Sequence, residues 1–118
     1  MVARLFGTDG IRGKVNPSII SEKDVIDNLH NKREISPALF RLLGEVLGRI
    51  SDLFPGHGNE VVIGWDQRPN NELLAEYLTL GLQISGMKVT HIGICATPTL
   101  HYATLEHSAR IGCMITAS

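Results

Sequence analysis

The chain has 118 residues, enough for one domain with a single core and too few for two comfortable ones. Its 11 basic and 12 acidic residues leave a formal charge of −1, so neither a nucleic-acid backbone nor an anionic membrane is an expected partner. No apolar run reaches the roughly 18 residues of a membrane span, and the opening MVARLFGTDG lacks the apolar core of a signal peptide, which makes a cytoplasmic location the expectation.

The first punctuated segment, LFGTDGIRGKVNP, holds three glycines in seven residues. A Walker A loop needs four residues between its glycines and Ser or Thr after its lysine. Here five residues separate Gly7 from Gly13 and Val15 follows Lys14, so nucleotide cradling is not expected. The segment reads as a glycine-rich turn, or as backbone that approaches another group closely. Arg12 within it can offer a guanidinium fork to a phosphate.

SEKDVIDNLHN follows, with Ser21 three residues before Asp24 and with Val25, Ile26 and Leu29 on one helical face, which predicts a short helix. A longer helix is predicted from about Pro37 to Leu53. Ser36 stands as N-cap, Pro37 occupies the first position, Leu39, Leu42, Leu43, Val46, Leu47 and Ile50 fall at helical spacing, and FPGHG ends it.

Beyond that loop, EVVIGWD is a short β-branched run bounded by Gly and Asp, as in a buried strand. NNELLAEYLTLGLQISG reads as a helix capped by Asn70 or Asn71 and stopped by Gly86. KVTHIGI is a second strand, TPTLHYATLEHS a helix with Thr97 as cap and Pro98 in its first turn, and RIGCMIT a third strand. Strand and helix alternate with short connections, which predicts parallel strands, right-handed crossovers and an α/β fold class. Ligands of such sheets bind outside the carboxyl ends of the strands, where helices begin. Three loops share that edge: GWDQRPNN, CATPT and the terminal TAS with Ser118.

Cys95 and Cys113 lie in apolar contexts outside any CxxC pair and read as buried, reduced thiols. His30, His57, His91, His101 and His107 lack the spacings of a zinc site. Trp65, without a basic patch around it, is expected in the core or at a domain contact. Arg68, just past the first strand of the unit, is read as a structural partner of Asp66, worth about 0–1 kcal/mol if exposed, or as a residue at the edge of the site. Ser118 is unremarkable alone, because a serine nucleophile needs activation and neither a Ser-His-Asp order nor a G-x-S-x-G elbow supplies it.

FGTDGIRG near the start, VVIGWDQRPNN, ATPT and the final GCMITAS together resemble, in order and spacing, the first domain of the α-D-phosphohexomutases, the family of phosphoglucosamine mutase, phosphomannomutase and phosphoglucomutase. The resemblance covers nearly the whole chain. It implies a three-layer α/β/α domain with a mostly parallel sheet, spanning residues 1–118 and cut at the phosphoserine loop. It further implies an intramolecular phosphotransferase that interconverts hexose 1- and 6-phosphates. Ser118 matches the family's phosphoserine, which passes its phosphate to a hexose monophosphate through a hexose 1,6-bisphosphate intermediate. Magnesium is implied as cofactor, bound to this chain through the phosphate on Ser118.

Arg12 is the first candidate for a phosphoserine contact under that resemblance, with Thr8 and Asp9 as further members of its loop. Such a site is physically coherent. A phosphoserine carries about −1.5 to −2 charges, which a helix N-terminus, an arginine fork and a divalent cation stabilise together. Phosphoryl transfer then depends mainly on positioning and charge neutralisation.

Three features depart from the family pattern. Residues from about Ser18 to Ile35 read as an insertion, Trp65 replaces the usual Arg or Lys, and PNN stands at 69–71 in place of a Ser-Gly. FGTDGIRG leans toward phosphoglucosamine mutase and MITAS toward the phosphomannomutase and phosphoglucomutase side. The family's His-Asn-Pro continuation, its general-base lysine, its Asp-rich magnesium loop, its sugar-recognition loop and its C-terminal phosphate-binding domain have no counterpart within these 118 residues. The chain alone is therefore expected to be inactive. Two other classes share parts of the pattern: a receiver-like signalling module with Asp66 as phosphoacceptor, and a noncatalytic sugar-phosphate binding module.

Overall fold

The structure is a computed structural model that describes residues 14–20, 25, 34–54 and 56–116. Two two-residue strands come first, β1 (Lys14–Val15) and β2 (Glu34–Ile35), paired in parallel and extended by Asn16 N–H donating to the Ile35 carbonyl at 2.8 Å. No hydrophobic pattern announces strands so short, and the sequence reading has none there. The helix expected in SEKDVIDNLHN lies outside the described residues apart from Val25, which is buried in the core.

α1 (Pro37–Arg49) begins as expected: Ser36 is extended, its hydroxyl accepts from Leu39 N–H at 3.1 Å, and Pro37 opens the first turn. The helix stops at Ile50, and a 3₁₀ turn (Ser51–Leu53) completes the predicted span. Arg110 anchors the following loop by donating to the carbonyls of Gly58, Ser51 and Phe54.

The remaining order is β3 (Glu60–Trp65), α2 (Asn71–Ile84), β4 (Lys88–Ile94), α3 (Thr97–Glu106) and β5 (Ile111–Ile115). The sheet runs β4-β3-β5 with both pairings parallel. β3 is central and nearly continuous in its burial, whereas β4, at an edge, is not.

Alternation along β3 sorts the layers. Val61, Ile63 and Trp65 join the core formed with Leu39, Leu47, Leu74, Leu78 and Leu82 of α1 and α2. On the other face, Gly64 is closely approached by Cys95, Ile92 and Leu100, which seats α3 against the sheet. The result is the expected α/β/α sandwich. Each large aliphatic side chain fully buried here contributes about 1.5–3 kcal/mol relative to exposure.

α1 and α2 cross almost backbone to backbone. A Cβ built on Gly44 would lie 2.7 Å from the Leu82 nitrogen and against the Leu78 carbonyl oxygen. Ser85 Oγ bridges the crossing to the Gly44 carbonyl at 3.2 Å.

Two capping expectations change. Asn70 precedes α2 with φ of 72° and caps nothing with its side chain, because its left-handed backbone serves the turn out of β3. Ala96, not Thr97, is the N-cap of α3, and Thr97 is already helical.

Candidate active site at the carboxyl edge of the sheet

β4 lies on one side of β3 and β5 on the other, so the connection through α2 runs outward from β3 to β4 and the connection through α3 reverses, crossing back past β3 to β5. In doubly wound sheets that reversal opens the ligand crevice, at the carboxyl ends of the diverging strands. Here those ends are Trp65–Asp66 and Ile115–Thr116. The amino ends of α2 and α3 belong to the same edge, where the positive end of a helix dipole favours anions.

Asp66 is the hub of this edge. Its N–H donates to the Ile115 carbonyl at 3.0 Å, carrying the β3–β5 ladder one step past the strands. Its Oδ1 accepts from Asn71 Nδ2 at 2.5 Å and its Oδ2 from the Thr116 hydroxyl at 2.8 Å. Asn71 is buried, and its amide also points at the carbonyls of Asp66 (3.3 Å) and Ile115 (3.4 Å). One buried amide thus ties the first turn of α2 to the ends of both strands.

Arg68 Nε stands 3.6 Å from Asp66 Oδ2, beyond hydrogen-bond length but within ion-pair range. Its side chain is 61% exposed against 28% for Asp66, so the pair is worth at most about 1 kcal/mol. Arg68 is therefore a neighbour of Asp66 in a weak, largely exposed pair at the carboxyl end of β3.

The receiver-like alternative needs a free carboxylate on Asp66. Here both oxygens accept hydrogen bonds from protein side chains, Asn71 and Thr116, so the carboxylate is engaged in joining α2 to the ends of β3 and β5.

Of the other residues singled out from the sequence, Thr8, Asp9, Arg12 and Ser118 lie outside the described residues. Thr116, two positions before Ser118, is the nearest described residue of the terminal motif. Asn71 and Thr116 were not singled out as site residues. Asn71 reads from sequence as a helix cap, and only the pairing of β3 with β5 reveals that it faces Ile115.

Cys113 is buried, and loss of solvation pushes its thiol up to about 12. Cys95 is only half-buried, a correction to its expected burial. Its thiol is raised by desolvation, opposed by the Trp65 backbone with which it makes a hydrogen bond. Trp65 is in the core, edge-on to the His91 ring at 5.4 Å, and so serves packing. Among the described residues no three His, Cys, Asp or Glu side chains converge on a potential metal site, and no helix is long and apolar enough to cross a membrane.

Comparison with known proteins matches residues 3–118 to the family described as phosphoglucomutase/phosphomannomutase, alpha/beta/alpha domain I. Among similar proteins, a "Probable phosphoglucosamine mutase" of Methanosphaera stadtmanae is 35% identical over 99% of this chain and 22% of its own length. A "Phosphoglucosamine mutase" of Synechococcus elongatus is 34% identical over 97% of this chain and 21% of its own length. One of Frankia alni, with the same name, is 34% identical over 99% and 24%. The chain thus spans between a fifth and a quarter of the length of these relatives. No solved structure matches it significantly.

Proposed function

The chain belongs to the phosphoglucomutase/phosphomannomutase family, matching its α/β/α domain I, and from that premise we propose that it supplies the phosphoserine of a phosphohexomutase. Ser118 carries the phosphate. A hydroxyl of a hexose monophosphate attacks that phosphorus, the P–O bond to Ser118 breaks, and the hydroxyl proton passes to a base outside this chain. The resulting hexose 1,6-bisphosphate turns over in the site and returns its other phosphoryl group to Ser118.

One observation supports this reading above others. The strand that leads into Thr-Ala-Ser ends at the crevice side of a doubly wound sheet, tied there by Asp66. Arg12 is the proposed phosphate partner, with Thr8 and Asp9 shaping its loop. Arg68 adds positive charge at the rim. Magnesium finds no complete ligand set among the described residues; from this chain only the Ser118 phosphate would hold it, and the ion would neutralise phosphoryl charge.

Phosphoglucosamine is the favoured substrate, because the relatives described above carry that name; mannose and glucose phosphates are the alternatives. The reaction belongs to a longer cytoplasmic protein, and residues 1–118 alone turn over nothing, in keeping with the fraction of the relatives' length that they span.

Intact mass of the full-length protein should show one phosphate, mapped by peptide analysis to Ser118. Ser118→Ala should lower turnover by about a thousandfold or more. Full turnover by that variant would remove Ser118 from the mechanism. Comparing kcat/KM for glucosamine, mannose and glucose phosphates decides the substrate.

A further inference from the structure

We propose that Asp66 is a positioning residue for the phosphoserine, holding the loop that carries Ser118 by gripping Thr116 from the end of the neighbouring strand. The inference rests on the reading of Ser118 given above. The backbone bond from Asp66 N–H to the Ile115 carbonyl is what any parallel pair makes at its end. The side-chain bond is different, because it passes the last ladder residue and takes hold of the first residue of the loop.

Stability alone gives little reason for that bond. Thr116 is exposed, so water would satisfy its hydroxyl equally well.

What the bond does supply is direction. Asp66 is itself fixed by Asn71, whose buried amide donates to Oδ1. The chain Asn71, Asp66, Thr116 therefore transmits the rigidity of α2 and β3 to a loop whose reactive residue is two positions away. Misplacement of about 1 Å in a phosphoryl-transfer site costs on the order of a hundredfold in rate.

The test uses the full-length protein. Asp66→Asn and Thr116→Val should each lower kcat by roughly tenfold to a hundredfold with KM within about twofold. Their double variant should be no slower than the slower single one, as expected of residues acting through one bond. Thr116→Ser, which restores the hydroxyl, should recover most of the loss. Unchanged kcat in Thr116→Val, a loss confined to KM, or losses that multiply in the double variant would each overturn the proposal. If Asp66→Asn does not fold, the exposed Thr116→Val and Thr116→Ser pair decides alone. Ser118→Ala run alongside separates the two ideas: if it is dead while Thr116→Val runs at full rate, only the positioning role is lost, and if it is active the phosphoserine reading itself fails.

Discussion

Gly81 of α2 lies against the main chain of α1 at Arg41: a Cβ built on it would overlap the Arg41 carbonyl oxygen and stand 2.9 Å from the Glu45 nitrogen. Neither atom is the flexible end of a side chain. Gly81→Ala would gain up to about 1 kcal/mol of helix propensity but must force two helices apart. Overpacking of this kind costs about 1–3 kcal/mol, sometimes more. We expect a net loss of about 2 kcal/mol, read as a lower denaturation midpoint, with the exposed Leu80→Ala as the near-neutral comparison.

Asn71 is the buried amide between β3 and β5. Asn71→Leu removes the amide that donates to Asp66 Oδ1 and buries an apolar side chain beside that carboxylate, while the Asp66 and Ile115 carbonyls keep their backbone donors, Arg68 N–H and Asp66 N–H. A loss of about 1–3 kcal/mol is expected, visible in chemical unfolding. Hydrogen exchange at the Asp66 amide, which bonds Ile115, should also accelerate, because the ends of the two strands separate first.

Glu60, at the opposite end of β3, has its carboxyl held below the usual carboxylate range. The Thr90 hydroxyl bond is the main cause, burial opposes it, and His107 at 3.2 Å assists. A folded-state value below the unfolded one means stability that is present above the unfolded value of about 4.3 and lost as pH falls through the lowered folded value. Thr90→Val should therefore be less stable than wild type at pH 7, by less than about 1 kcal/mol. The gap should narrow as pH falls below the unfolded value of about 4.3 in paired unfolding curves.

Cysteine labelling should separate the two thiols. Cys113, buried and pushed up to about 12, should stay unmodified by iodoacetamide at about pH 8 until the chain unfolds. Cys95, half-buried and raised less, should label slowly in the native state. Peptide mass spectrometry with and without denaturant reads both, and prompt native labelling of Cys113 would contradict its burial.

Much of the sandwich is legible in sequence because its signals are local. Ser36-Pro37 announces α1, the β-branched run at 60–65 announces β3, and Gly86 with φ of 89° closes α2. The site is less legible because its bonds join residues far apart in the chain. Asp66 and Thr116 are 50 positions apart, and only the strand order brings them together. β1 and β2 are too short to carry an alternating pattern. The bulge in β4, where Ile63 pairs with His91 but Gly64 with Gly93, is marked in sequence only by a glycine.

The strand order also sets a schedule for synthesis. β3 is made first of the three strands of its sheet yet ends in the middle, and β5, its second neighbour, leaves the ribosome about 50 residues later. At about 5–20 residues per second one flank of β3 stays bare for several seconds, with Val61, Val62 and Ile63 in an unpaired edge open to other nascent chains. The segment that closes that flank is β5, so the nascent domain loses its aggregation-prone edge in the same step that joins Asp66 to Ile115 and Thr116 at the carboxyl edge of the sheet.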